Sequence, residues 1–136
     1  MTSIKILKVI PGEVGIPRND GTPGSALYAV SFQISDVPSS IWVDLFIKNW
    51  DHPPRFTSRH RPGIASVIGD RIILDGTTIE EVEKYHQATL KEVVELVNKL
   101  AENYEKDLRR REEDGEASEQ KHRKNVQDIS KNIKFD

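Results

Sequence analysis

Cysteine is absent from this 136-residue chain and methionine occurs once. That excludes a disulfide scaffold, a zinc site built on cysteine, and thiol catalysis. Long apolar runs are missing too. The longest uncharged stretch of the front half, residues 21–35, is studded with Ser, Thr, Gly and Gln, whereas a spanning helix needs about 20 mostly apolar residues. Charge of one sign is also lacking: 20 Lys and Arg stand against 22 Asp and Glu, a formal net charge of -2. This argues against a protein that coats nucleic acid nonspecifically. The first residues carry no apolar leader, because Lys5 and Lys8 interrupt them and Pro11 and Gly12 stop them; the cytoplasm is the expected compartment. No internal repeat of fixed period occurs.

What is present is unevenly distributed. Of 37 Leu, Ile, Val and Phe residues, 32 precede residue 101 and 5 follow it, while the last 36 residues hold 19 charged ones, 9 basic and 10 acidic. The expectation is one body of about 100 residues, long enough to bury a core, followed by a solvated, charge-rich extension.

The body reads as strands first. Ser3 to Ile10 is rich in β-branched residues, with the alternation slipping at Ile6-Leu7. Residues 11–25 carry three prolines and four glycines, which places them in a long loop or lid. Ala26 to Ile34 alternates cleanly, with Tyr28, Val30, Phe32 and Ile34 on one face. Ile41 to Trp50 is apolar on both faces and is expected to be a covered strand, with Trp42, Phe46 and Trp50 as a core stripe. Ile64–Ile68 and Arg71–Asp75 flank Gly69-Asp70, a type II′ hairpin signal, because glycine at the first central position accepts positive φ.

Then the period changes. Thr78 with Glu81 three residues on has the form of a capping box, and Glu80, Glu81 and Glu83 suit the positive end of a helix dipole. From there Leu90, Val94, Val97, Ala101, Tyr104 and Leu108 keep steps of four and three, a heptad seam. No proline or glycine intervenes before Gly115, which is expected to end the helix. A helix over residues 78–114 would run about 55 Å at 1.5 Å per residue. That exceeds a compact 100-residue body with a radius of gyration near 13 Å. Val126, Ile129 and Ile133 beyond it fit either a short amphipathic helix or a frayed tail. The expected class is therefore α+β: about five strands in a mainly antiparallel sheet over residues 3–75, one long helix over 78–114, and a charged extension over 115–136.

One loop asks for more than folding. Residues 52–63 hold three arginines, two histidines, Phe56 and no acid. Arginine forks grip phosphate or carboxylate, and an aromatic can stack on a ring. Arg55, Phe56, Arg59, His60 and Arg61 are thus the candidate anion or partner site. The competing reading is a solvated loop whose arginines pair with Asp44, Asp51, Asp70 or the acidic helix start. A metal is not expected, since the arginines beside His52 and His60 repel a cation and no close His pair exists. No catalytic residue is nominated: Ser58, His60 and Asp51 lie too near in sequence for triad geometry, and no nucleophile elbow is present. His86, at a core-facing position between Val82 and Leu90, is expected to be a hydrogen-bonded boundary residue. The mixed charges from Lys106 to Lys124 read as a solvated helix face rather than a nucleic-acid patch.

These features point to a small binding or assembly module without enzymatic activity or cofactor. It would self-associate or dock a protein partner through the seam from Leu90 to Leu108, with the Arg/His loop recognising an acidic group. The alternatives from other classes are an enzyme or binding protein for a phosphorylated small molecule, and a nucleic-acid binder using the same loop.

Overall fold

In a computed structural model, which describes residues 3–135, the body is a two-layer α+β arrangement. A four-stranded antiparallel sheet has the order β1-β2-β4-β3, built from β1 (Ile6–Val9), β2 (Tyr28–Ile34), β3 (Ala65–Ile68) and β4 (Arg71–Thr77). Register places Val30 beside Leu74 and Phe32 beside Ile72, so the alternating apolar residues of the two central strands share one buried face. The slip at Ile6-Leu7 is a register shift in β1, which leaves Leu7 exposed on the edge strand.

The expected fifth strand is a helix, α1 (Ser40–Asp51). Topology supplies the reason. β2 and β3 both run antiparallel to β4, which lies between them, so they are parallel to one another and their connection must cross a face of the sheet. Trp42, Phe46 and Trp50 sit four apart along one side of α1 and are wholly buried, while Asp44 and Lys48 face solvent. Ser39 caps the start, its hydroxyl accepting from Trp42 N at 3.2 Å.

The β3–β4 turn forms as expected, with Gly69 at φ +59 and Asp70 not in the left-handed region. β4 runs on to Thr77 through a bulge at Gly76, whose φ of +130 suits no other residue and whose added Cβ would press on Ile64. The loop after β1 is tied down rather than bare: Pro11–Glu13 forms a 3₁₀ turn, Glu13 pairs with Arg71, and Gly15 N donates to Ala29 O.

Thr78 starts the helical run, its hydroxyl accepting from Glu81 N at 3.1 Å. The reciprocal half of the capping box is missing, because the Glu81 carboxylate is engaged by Arg61 and Thr77 instead. The run comprises α2 (Ile79–Glu81), one π-helical turn (Val82–His86) and α3 (Gln87–Ser130). Gly115 does not end it, and residues 118–130 are not a separate helix. A helical glycine costs only about 1 kcal/mol, which the flanking Glu, Arg, Lys, Ala and Gln, all strong helix formers, easily outweigh.

The chain divides into two compact units at Ala101/Glu102. In the first, Val82, Leu90, Val93, Val94, Val97 and Ala101 complete the core begun by the sheet and α1. Asn98 ties three parts of it together. Its Oδ1 accepts from Ile4 N (3.0 Å) and from Trp42 Nε1 (2.9 Å), and its Nδ2 donates to Ile4 O (2.8 Å). The second unit is helical from Glu102 to Ser130, and Ile133 N bonds Ser130 O in the turn that follows.

Candidate functional site

The loop after α1 closes on itself. Asp51 Oδ1 accepts from Gly63 N at 2.8 Å, and Trp50 Nε1 donates to Arg61 O at 3.0 Å. The buried indole of Trp50 is the anvil on which the loop folds. The His60 ring lies on it at 4.5 Å, His86 approaches its edge at 5.5 Å, and Phe56 stands edge-on to His60. His60 Nε2 is 2.7 Å from Trp50 O. A carbonyl only accepts, so Nε2 carries the proton and Nδ1 is left as a lone pair; it is buried without a partner.

Arg61 reaches from this loop to the helix start. Its guanidinium forms a fork with Glu81, with Nη2–Oε2 at 2.8 Å, and Thr77 Oγ1 adds a third bond to that carboxylate. The Arg61 hydrogen bonds hold the Glu81 carboxyl below the usual range, against the opposing effect of burial. Arg55 pairs with Glu92 at 2.5 Å, across an exposed surface. Arg59 makes no ion pair among the described residues, and Phe56 is 63% exposed.

The five loop candidates therefore separate. His60 and Arg61 are drawn inward as part of the fold, Arg55 holds a carboxylate of its own chain, and Phe56 and Arg59 remain at the surface. Competition for the arginines comes from the acidic helix start and from Glu92, not from the aspartates of the sheet and loops.

His86 departs from expectation in one respect. It is fully buried, as its helical position implies, yet neither ring nitrogen has a hydrogen-bond partner among the described residues. Burial pushes its imidazole below the usual range, and Arg61 and His60 push the same way while Glu81 opposes them. Burial also lowers His60. Both rings are thus neutral near pH 7. Neither has a carboxylate or hydroxyl within hydrogen-bond reach of the kind a general base uses for orientation. The described residues contain no cluster of three His, Asp or Glu able to hold a metal ion.

A cavity of about 690 Å³ lies elsewhere, between the edge strand β1 and the first part of α3. Ile4, Ile6, Phe32, Leu90 and Val94 line it, with Lys5, Lys8, Lys91 and Glu95 supplying charge. No spacing in the sequence announces this groove, since it exists only once strand and helix are side by side.

The helix seam also separates. Leu90, Val94, Val97 and Ala101 are buried by their own chain, Leu90 and Val94 beneath the groove beside β1. Tyr104 and Leu108 are 48% and 42% exposed, and Val126, Ile129 and Ile133 are exposed to a similar degree. No helix among the described residues is long and apolar enough to cross a membrane. Compared with known proteins, the chain matches no family model, no curated protein and no solved structure.

Proposed function

We propose that this protein is an assembly module whose second unit, the helix from Glu102 onward, binds another helix. The observation that carries this reading is the row of exposed apolar side chains Tyr104, Leu108, Val126, Ile129 and Ile133 on a segment where every other described side chain, the partly covered Glu105 apart, is also exposed. Helices in proteins draw most of their stability from packing an amphipathic face. A helix with an exposed apolar row calls for a partner. The first unit is tied together by itself: Trp50 donates to the Arg61 carbonyl, Arg61 holds Glu81, and Asn98 accepts from Trp42.

The phosphate-clamp alternative has less support, because it needs three free guanidinium groups and two already hold carboxylates. The test is mass in solution. Sedimentation of the full chain across a concentration series is expected to show association, abolished by the paired surface substitutions Leu108→Asp and Ile129→Asp. A wild-type particle of 15.5 kDa at every concentration would refute self-association.

A further inference from the structure

We infer that the groove beside β1 receives an extended peptide segment of a partner protein, alternating apolar and acidic residues, which adds to the sheet as a further strand. This surface belongs to the first unit, and the inference stands without the helix from Glu102 onward. The free main chain of β1 and the charge around the groove carry it.

β1 is an edge strand, so one of its sides has no neighbour in the sheet. Lys5 O accepts from Ser35 N at 2.9 Å, and Ile10 N donates to Ser31 O at 3.0 Å, both away from that open side. Main-chain groups of an antiparallel strand alternate between its two sides, and the slip between Ile6 and Lys8 restarts the alternation. Ile4, Ile6 and Val9 therefore turn N–H and C=O to the open edge. At Ile4 the edge is already used: Asn98 Nδ2 donates to Ile4 O at 2.8 Å, and Asn98 Oδ1 accepts from Ile4 N at 3.0 Å. One amide group thus makes the two bonds that a neighbouring strand would make, and it marks one end of the open stretch. Beyond it Lys5 to Val9 remain, about 17 Å of strand, and every residue from Ser3 to Val9 lines the groove.

Side chains choose the partner's chemistry. Ile4 is buried and Ile6 and Val9 are half-buried, whereas Lys5 and Lys8 are exposed. Side chains of a strand alternate between two faces, so an added strand sets one row against Leu90 and Val94 of α3 and the other level with Lys5 and Lys8. The first row has to be apolar. Charge decides the second: Lys5, Lys8 and Lys91 line the groove against one acid, Glu95. Among the described residues none of these three lysines makes an ion pair. Opposite charges across neighbouring strands are favourable and like charges are not. The same rule disfavours a second copy as occupant, because β1 beside its own copy gathers four lysines while residues 3–10 contain no acid.

The probe is a pool of acetylated hexapeptide amides in which Asp or Glu alternates with Val, Ile, Leu or Phe. Added to the isotope-labelled full chain, it is expected to shift the backbone amide resonances of Ile6 and Val9. Methylating the main-chain nitrogens of the pooled peptides is expected to weaken binding about tenfold, since the hydrogen bonds to the edge are lost. The surface variant Lys5→Glu with Lys8→Glu is expected to reject this pool and to bind one carrying Lys in place of Asp and Glu. If the lysines serve only to guard the edge against other strands, no pooled peptide binds, and the inference falls. Equal binding of the methylated pool would overturn strand addition. Decanoate shifting the same amides while the peptides do not would make the groove a site for an anionic amphiphile instead. Shifts at Ile6 and Val9 on raising protein concentration alone would give the edge to a second copy and overturn the partner proposed.

Discussion

Removing the Asn98 side chain is the sharpest test of how this fold is held. Asn98 joins three elements that are far apart in sequence: the chain leading into β1 at Ile4, α1 at Trp42, and α3 itself. Asn98→Ala leaves the Trp42 Nε1–H without an acceptor in a side chain that is 0% exposed. It also strands Ile4 N and O, of a residue only 3% exposed. A buried donor left unsatisfied costs about 1–3 kcal/mol. With the Trp42 donor fully enclosed and the Ile4 groups also left without their partner, the expected loss is about 3 kcal/mol. Urea unfolding followed by far-UV circular dichroism and tryptophan fluorescence measures it directly. A double-mutant cycle with Trp42→Phe isolates the indole bond, for which the expected coupling is about 1 kcal/mol. A loss below about 0.5 kcal/mol for Asn98→Ala would refute the argument that this amide organises the core.

Two further predictions concern the Trp50 cluster. Because burial lowers the His60 and His86 imidazoles, the unfolded chain binds more protons than the folded one below the ordinary histidine pKa of 6.5. Stability is therefore full above about pH 6.5 and declines as pH falls through and below it, by on the order of 1.4 kcal/mol per pH unit for a group as enclosed as His86. Urea midpoints that stay flat from pH 7.5 to 5 would contradict this, and His86→Leu is expected to remove most of the slope. The groups facing His86 are Glu81, Arg61 and His60, and Glu81, held low, contributes its own loss only in a separate window below the ordinary glutamate value of 4.5. Second, Arg61→Met strands the largely covered Glu81 carboxylate and is expected to cost about 2–4 kcal/mol. Arg55→Ala, at a pair whose arginine is 81% exposed, should cost under about 0.5 kcal/mol. Equal losses at the two sites, in the same unfolding assay, would show that burial does not distinguish the pairs.

Elements with strong local signals were legible. The alternation of Tyr28 to Ile34, the Gly69-Asp70 turn and the Thr78 cap all depend on neighbours a few residues away. Residues 41–50 misled because an apolar run with aromatics four apart satisfies a strand face and a helix face alike. The sign that separates them was the Ser39 cap together with the charges at 44 and 48, which a covered strand would have buried and α1 turns to solvent. His86 was legible as core-facing, but not as unpartnered, since partners come from the fold.

The sequence alone determined where the apolar mass ends, that a long helix follows the strands, and that the arginine loop and the acidic helix start carry opposite charge. These follow from composition and short-range periodicity, which fold context does not alter. Tertiary structure alone decided that α1 is a crossover helix, that Arg61 is already occupied by Glu81, and that the seam changes at Ala101 from core to open surface. Each of these depends on which distant residue arrives alongside, and a periodic stripe reads the same whether its own sheet covers it or nothing does.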